Sequence, residues 1–270
     1  EMALSASKGG RLIINDHLSI SNDTLNAVYF ERFPIKVRAM ANYGYRFSHW
    51  EGITADETEW EVVLNPSKGL KTVRAVFEEF TNPLEGKLVI NEICHKNNKS
   101  GDWIELFNGS KAKVALKGWT LSDLSRNEFV FPEAYINPND YLVVCRDSAR
   151  FTAAHPSAYN VIGGLEFGLN KRRDQLALYS ILKAMVDSVS YEVPPLDTAF
   201  TLGLLLPYLD NSDVANWEVR LGDGSPNAAN PYYMESRVRV AQEQWLQMGL
   251  AAGTLLLGLI MLALRRRGVL

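Results

Sequence analysis

Cysteine and histidine are both scarce in this sequence, and their spacing matches no common metal site. The 270 residues include two cysteines, Cys94 and Cys145, and four histidines that are scattered along the chain. Structural zinc sites draw their ligands from closely spaced Cys and His pairs, so we expect no metal and no cofactor. Both cysteines lie in apolar, strand-like runs and are expected to be buried thiols, although a disulfide between them stays open.

The sequence also lacks the motifs that carry the commonest kinds of catalysis. It contains no Gly-rich phosphate loop, no His-Arg-Asp or Asp-Phe-Gly of a protein kinase, and no Gly-x-Ser-x-Gly or His-Glu-x-x-His. The run DNSD (210–213) has the composition of a calcium loop, but Asp210, Asp213 and Glu218 do not fall at EF-hand positions. Turn capping explains these side chains more simply. The sequence therefore predicts no catalytic residue and no metal ligand.

A strong charge of either sign is missing as well. The 28 Lys and Arg residues and 31 Asp and Glu residues give a net charge of -3. Proteins that bind nucleic acid usually carry a strongly basic face, so this balance argues against a nucleic-acid partner. Hydrophobic residues make up 47% of the chain, which is enough to bury a core, and the length fits about two domains.

Two carboxylates lie three positions apart in GDWIELFNGS (101–110) and raise the question of an acid/base pair. Alternate residues of a strand face opposite sides of the sheet, so Trp103, Glu105 and Phe107 share one face and Asp102 lies on the other. We expect Asp102 to cap a turn and Glu105 to accept hydrogen bonds from a neighbouring loop. The pair is therefore interpreted as structural.

Most of the chain has the pattern of short β-strands. In IKVRAMA (35–41), apolar and polar side chains alternate with a period of two over most of the run. Residues 5–80 are predicted to form a small β-rich module, followed by a linker at TNPLEG (81–86). Seven short strands punctuated by Gly, Asn, Asp and Pro come next, which is typical of a β-sandwich. Residues 196–236 are expected to add a final strand or two and a covering tail.

One long uncharged run lies near the end of the chain, WLQMGLAAGTLLLGLIMLAL (245–264). Its length matches a hydrocarbon core roughly 30 Å thick, and it lacks the polar face that a buried core helix would need. We predict one transmembrane helix over residues 245–264, a juxtamembrane linker over 232–244 and a cytoplasmic tail over 265–270.

The charges that flank this run bear on its orientation. Arg265, Arg266 and Arg267 form a cytoplasmic stop, whereas Arg237 and Arg239 lie on the other flank. The first residue is not Met, which suggests a leader or an upstream region and favours modules outside the membrane. A tail-anchored protein that faces the cytoplasm is the alternative.

Small residues within the run form a Gly-x-x-x-Gly pattern at Gly249 and Gly253. Such residues let two membrane helices approach closely, so they are candidates for contact with an integral membrane partner. Tolerated small residues in a lone anchor are the alternative, and the sequence leaves both open.

Seven blocks between residues 87 and 231 resemble, in order, those of the lamin-tail domain. The blocks are INEI (90–93), DWIELFN (102–108), LKGWTLSD (116–123), FVFP (129–132), YLVV (141–144), VDSVSY (186–191) and GSPNAAN (224–230). The resemblance implies an immunoglobulin-like β-sandwich. The chain departs from the usual pattern where Lys171, Arg172 and Arg173 stand at a turn. This basic turn is a candidate contact for an anionic partner, and a solvated hairpin tip is the alternative.

Residues 5–79 look like a divergent internalin B-type repeat of bacterial surface proteins. The resemblance rests on VRAMANYGYRFSHWEG (37–52) and TVRAVFEE (72–79), and it implies that Trp50 is a core residue. The order of the two modules is similar to the C-terminal part of bacterial spore-coat CotH-type proteins. In that family an atypical kinase domain often precedes such modules.

These observations predict a mainly β protein with a small β-rich module, an immunoglobulin-like sandwich and one C-terminal membrane helix. The expected function is that of a non-catalytic accessory or scaffold protein of the bacterial cell envelope. It would bind a partner protein or glycan outside the membrane and dock on an integral membrane complex, by analogy one for exopolysaccharide synthesis or export. The C-terminal region of a CotH-type kinase and a simple surface adhesin are the alternatives.

Overall fold

The fold combines two β modules and one long C-terminal helix. The computed structural model describes residues 1–56, 59–66, 71–95, 99–170, 172–193 and 199–267. Residues 1–228 form one compact unit and residues 229–270 a second. Within the first unit we call residues 1–80 the first module and residues 87–228 the second module.

The first module consists of two four-stranded sheets. Its strands are β1 (Met2–Ala6), β2 (Gly10–Ile14), β3 (Leu18–Ile20), β4 (Thr24–Ala27), β5 (Ile35–Ala41), β6 (Tyr45–Glu51), β7 (Glu61–Leu64) and β8 (Lys71–Glu79). One sheet has the order β4-β1-β8-β6 and the other β3-β2-β5-β7. Only the β1–β8 pair among these is parallel. The β-rich character predicted for this region is confirmed.

The core of the first module lies between its two sheets. Alternation along β5 turns Ile35, Val37, Ala39 and Ala41 into this core, as the period of two predicts. Trp50 is buried in the same cluster, 5.4 Å from the ring of Phe47, and its indole nitrogen donates to the carbonyl of Glu59 at 2.7 Å. The prediction that Trp50 is a core residue is therefore confirmed.

The second module is a sandwich of a six-stranded and a four-stranded sheet, with a two-stranded ribbon beside them. Its strands are β9 (Leu88–His95), β10 (Trp103–Asn108), β11 (Val114–Ala115), β12 (Thr120–Ser122), β13 (Glu128–Val130), β14 (Tyr135–Ile136), β15 (Asp140–Cys145), β16 (Val161–Ile162), β17 (Arg173–Tyr179), β18 (Met185–Glu192), β19 (Phe200–Leu204) and β20 (Trp217–Leu221). The sheet orders are β16-β15-β10-β9-β19-β20, β13-β12-β17-β18 and β11-β14.

The sandwich core is built from the facing sides of its two large sheets, for example from Ile104 and Leu142 on one and Leu121 and Leu178 on the other. Strands β19 and β20 complete the six-stranded sheet by pairing beside β9. Residues 196–236 were predicted to supply a final strand or two, and that prediction is confirmed. The described part of residues 87–192 holds ten strands rather than the seven predicted, because several two- and three-residue strands are too short to show a period.

The outer face of the six-stranded sheet is covered rather than solvated. The short helix α1 (Ser148–Ala154) begins with Asp147 as N-cap, and its Phe151 packs on Trp103 with ring centroids 5.7 Å apart. Leu209 and Trp217 cover a second patch around Phe107. This covering explains why every residue of β9 and β10 is buried.

The two cysteines lie on this covered face, on either side of Trp103. Trp103 pairs with Cys94 of β9 and with Cys145 of β15, so one strand separates the two thiols. Two strand spacings put their Cα atoms about 9.5 Å apart, beyond the reach of a disulfide. Both are buried thiols, and burial raises the pKa of Cys145 to about 11.

The two modules pack against each other through the sides of β2, β5 and β17 that face away from the module cores. Ile13 and Met40 of the first module form one apolar cluster with Ala177 and Tyr179 of the second. The guanidinium of Arg38, on the same face of β5 as Met40, pairs with Asp16 at 2.9 Å and with Glu128 across the interface at 2.7 Å. These contacts make the modules one unit.

The C-terminal helix α2 (Pro231–Arg266) contains 36 residues and forms the second unit. The residues predicted as a linker, 232–244, are helical and continuous with the apolar run 245–264. At 1.5 Å per residue, that run extends about 30 Å.

Candidate functional site

The helix α2 is long and apolar enough to cross a membrane. Its most apolar 18-residue window has a mean hydropathy of 1.9, and none of that window is buried in the protein. Large side chains such as Trp245 and Leu255 are 73% and 70% exposed. A soluble core helix would bury such residues, so this exposure favours a surrounding of lipid. Arg265, Arg266 and Arg267 end the described chain as a basic cluster.

Gly249 and Gly253 lie on one side of α2. At 100° per residue they are about 40° apart, whereas Gly258 lies about 180° from Gly249, on the opposite side. A Cβ atom built at any of the three would meet nothing within 4 Å. The helix therefore carries a smooth strip at Gly249 and Gly253 and a single glycine at an opposed position.

The basic turn lies partly within the described chain. Lys171 lies outside the described residues. Arg172 and Arg173 are exposed, with Arg172 in the loop between β16 and β17 and Arg173 at the start of β17. Arg172 and Arg173 therefore lie where the chain passes from a loop into β17, and not at the tip of the β17–β18 hairpin. Contact with an anionic partner stays a prediction.

Asp102 and Glu105 point away from each other, as the sequence predicted. The Asp102 carboxylate accepts the backbone N–H of Leu169, 67 residues along the chain, at 3.0 Å. It therefore ties the start of β10 to the loop before β17, and a cap on its own turn stays a prediction. Glu105 is fully buried on the outer face of the six-stranded sheet. It accepts the backbone N–H of Asn227 at 2.5 Å and the side-chain amide of Asn91 at 2.9 Å. The expected hydrogen bond from a neighbouring loop is confirmed.

The carboxylate that does face Glu105 is Glu92, which sequence reasoning missed. The two residues pair directly across β9 and β10, and Glu92 is 1% exposed. A bulge at Asn91 produces this register, because it lets Ile90 and Ile93 both reach the core while Glu92 turns outward. The sequence did carry a signal for this pair, because β9 and β10 each have one Glu in the middle of an otherwise largely apolar strand.

Residues 222–228, which we call the cover loop, close over this carboxylate pair. The backbone N–H and the hydroxyl of Ser225 both donate to Glu92, at 3.1 and 3.0 Å. Gly224 has φ +82, and a Cβ there would lie 2.6 Å from the Trp103 ring and 2.9 Å from the Glu92 carboxylate. Only glycine allows the loop to approach this closely.

Burial sets the protonation of the pair. It raises the pKa of Glu92 to about 7, against the opposing effect of hydrogen bonds from Ser225 and Thr201. Burial also raises the pKa of Glu105 well above its ordinary value, and the neighbouring charge of Glu92 raises it further. A raised carboxyl pKa is common in general acids. Here the cover loop seals both groups, so no substrate atom can reach Glu105.

The acidic side chains of Asp210, Asp213 and Glu218 make contacts within the protein itself. Asp210 accepts from the backbone and hydroxyl of Ser212, and Asp213 caps a 3-10 turn by accepting the N–H of Ala215 at 2.9 Å. Glu218 pairs with Arg220 at 2.8 Å. Within the part of the chain that the structure describes, no group of three or more His, Cys, Asp or Glu could hold a metal ion.

A cavity of about 760 Å³ lies where the first module, the linker 81–86 and the second module meet. We call it the junction cavity. Its walls include two tyrosines, Tyr43 and Tyr208, and its floor includes Asp187 and Asn211. Sequence reasoning missed this site because its residues come from four separate segments that only the fold brings together.

Comparison with known proteins identifies part of the chain. Residues 81–192 match the family model of the Lamin Tail Domain, so the resemblance is confirmed over that range. The chain is thus mainly β with an immunoglobulin-like lamin-tail domain. No curated protein matches it. The crystal structure of a DUF4876 family protein from Bacteroides thetaiotaomicron is similar at 10% identity with a TM-score of 0.25, over 66% of each chain. The internalin-type and CotH-type resemblances stay predictions.

Proposed function

We propose that this chain is a non-catalytic, membrane-anchored accessory protein of a bacterial cell envelope. The observation that carries the proposal is the helix α2, whose most apolar 18-residue window is not buried in the protein and whose apolar run has the length of a bilayer core. The immunoglobulin-like lamin-tail domain joined to it favours a binding role, because such sandwiches commonly present loops and faces to partners.

The absence of catalysis in this proposal rests on the carboxylate pair. Glu92 and Glu105 are buried carboxyl groups with raised pKa values, the property expected of a general acid. Both are buried beneath the cover loop and bonded to it. Their hydrogen bonds hold the loop against the sheet. We assign them to the fold and not to a reaction.

The proposed orientation places the β modules outside the membrane and the basic end of α2 inside. Three arginines, Arg265 to Arg267, follow the apolar run, whereas Arg237 and Arg239 precede it. The excess of basic residues at the C-terminal side supports this direction, since basic flanks stay cytoplasmic.

We further propose that α2 docks on an integral membrane protein through Gly249 and Gly253. Small residues at this spacing let a second helix approach closely enough for extensive van der Waals contact. The Gly253→Leu substitution would fill the strip with a side chain that keeps the helix apolar. We expect the fold of the β unit to be unaffected, because residues 1–228 form a separate compact unit.

Mild-detergent purification of the full chain from its native membrane tests this docking. We expect wild type to retain a stoichiometric membrane partner and Gly253→Leu to lose it. The matched control is Gly258→Leu, the same change on the opposite side of the helix, which should keep the partner. Loss of the partner in both variants, or in neither, would refute the role given to this strip.

A further inference from the structure

The junction cavity is bounded by parts that hold one another in place. The Tyr43 hydroxyl donates to the Glu85 carboxylate, which ties the first module to the linker. At the floor of the cavity, the Trp217 indole donates to the carbonyl of Asn211 at 2.8 Å. The Asn211 amide in turn donates to Asp187 at 2.8 Å. The cavity is therefore formed before any ligand arrives, which lowers the ordering cost of binding.

Two tyrosine rings line the cavity and remain open to solvent. Tyr43 is 55% exposed and Tyr208 is 70% exposed. An aromatic ring offers a flat apolar surface, and its hydroxyl can still meet water. Rings that border a concave polar site are typical of places where a ligand with one apolar face is held.

The floor of the cavity offers carboxylate and amide groups whose charges are already compensated by the chain. The Asp187 carboxylate accepts the backbone N–H of Ile90 at 2.7 Å as well as the Asn211 amide. The Asp210 carboxylate accepts two hydrogen bonds from Ser212. The Asn211 NH₂ group already donates to the carbonyl of Ile90 at 3.3 Å and to Asp187 at 2.8 Å, so the floor presents acceptor oxygens.

Glu85 and Lys87 also line the cavity, and each is held by the chain, Glu85 by Tyr43 and Lys87 by the carbonyl of Pro83 at 2.9 Å. The acids outnumber the one lysine and so repel an anionic ligand, while these internal hydrogen bonds weaken the demand for a cation. A neutral ligand with many hydroxyl groups fits best, because a hydroxyl can donate to a carboxylate or to an amide oxygen.

We propose that the junction cavity binds a neutral carbohydrate. A sugar ring lies against the Tyr208 ring, and its hydroxyl groups meet the polar floor at Asp187, Asp210 and Asn211. The proposal rests on the accessory binding role given to this chain above, and it specifies a glycan as the ligand. Because the first and second modules both line the cavity, the site exists only when the two are packed together.

Calorimetric titration of the full chain tests the site. The chain is held in lipid nanodiscs, since maltoside detergents would themselves supply sugar. The probes are the neutral hexasaccharides maltohexaose, cellohexaose and hexa-N-acetylchitohexaose. We expect at least one to bind wild type, and Tyr208→Ala to weaken that binding by about tenfold through loss of the ring. Tyr208→Phe should stay within about twofold, because the ring surface remains.

Tyr135→Ala is the matched control, since Tyr135 is a half-exposed tyrosine outside the cavity. It should leave the affinity unchanged. The proposal is overturned if none of the three sugars binds at millimolar concentration, or if Tyr208→Ala binds as tightly as wild type. It is also overturned if tetramethylammonium, and no sugar, binds in a Tyr208-dependent way, which would make this a cation site. None of these outcomes bears on membrane anchoring, which is measured separately.

Discussion

Glu105 is a fully buried carboxyl group whose ionisation has a high electrostatic cost. A carboxylate loses most of its hydration when it is fully buried, and it is deprotonated only if the protein replaces that hydration. The structure supplies two donors to Glu105 but places a second carboxylate, Glu92, directly opposite. This arrangement raises the pKa of both carboxyl groups and so couples the stability of the module to pH.

The sign of that coupling follows from the raised pKa values. Burial lifts the folded-state pKa of Glu92 from its ordinary value of 4.5 to about 7. A group with a raised folded-state pKa stabilises the fold fully below its unfolded pKa, and this contribution is lost as the pH rises through the folded value. For Glu92 the loss is on the order of 3 kcal/mol. The free energy of unfolding should therefore fall between about pH 5 and about pH 8.

Glu105→Gln should flatten this pH dependence and also destabilise the fold at low pH. The free energy of unfolding at about pH 5 should drop by about 1–3 kcal/mol, because the new NH₂ group faces donors where an acceptor oxygen stood. Between about pH 5 and about pH 8 the free energy of unfolding should fall less in the variant than in wild type, since the variant lacks one buried ionisable group. Denaturant unfolding at a series of pH values measures both effects.

Glu133→Gln provides the control for this prediction, because the Glu133 side chain is 82% exposed. It should reproduce the wild-type profile. A Glu105→Gln profile as steep as that of wild type would show that the pair does not set the pH dependence. A soluble fragment with turnover that Glu105→Gln abolishes would overturn the structural assignment of this residue.

Sequence reasoning reached the orientation of single residues but not their partners. The period of two placed Glu105 and Asp102 on opposite faces, and the resemblance to the internalin-type repeat implied that Trp50 is a core residue; the structure agrees with both. Glu92 was missed because its outward position depends on the bulge at Asn91, which a strict period of two cannot show.

At the level of elements, the cover loop depends on a single glycine. The loop reaches the sheet at Gly224, where a Cβ would lie 2.6 Å from the Trp103 ring and 2.8 Å from the Thr201 side chain. These neighbours are buried and cannot move aside cheaply. The hydrogen bonds from Ser225 and Asn227 to the carboxylate pair require this close approach.

Gly224→Ala should therefore destabilise the β unit more than the same change two residues earlier. Gly222 also has a positive φ, +122, but a Cβ there would meet nothing within 4 Å. Both variants incur backbone strain of about 1–2 kcal/mol, and only Gly224→Ala adds a steric clash of about 1–3 kcal/mol. Thermal unfolding of both variants measures the difference. Equal losses would mean that the loop does not press on the sheet as described.

The prediction of elements was best where one face of a strand meets a core and the other meets water. Strand β5 follows that rule on its inner face. Its outer face carries Lys36, Arg38 and Met40, and the alternation alone does not show what this face contacts. In the structure Met40 and Arg38 form the interface with the second module, which only the packing of the two modules reveals. The junction cavity was missed for the same reason.

At the scale of the whole molecule, two units of very different surface are joined in one chain. Residues 1–228 bury a continuous core within each module and a further apolar cluster between them. In the second unit, the described residues from 229 to 267 instead expose most of their large apolar side chains. A helix of this kind is stable in lipid because its backbone groups bond within the helix and its side chains match the hydrocarbon.

The end of the chain was the part that the sequence predicted most directly, since length and the lack of charge alone indicate a span. The sequence did not show that the helix begins at Pro231, well before the apolar run, because residues 232–244 are polar. Helix propensity in such a stretch is a weak signal without packing or periodicity.

Alkaline extraction of native membranes that contain the full chain tests the central claim most directly. The full chain should stay in the membrane pellet, because a helix embedded in hydrocarbon is not released when surface electrostatic contacts are removed. A chain that stops at Asn230 should appear in the soluble fraction with its β unit folded. If the full chain is released by alkali, or remains soluble without lipid or detergent, the proposed membrane anchor is wrong.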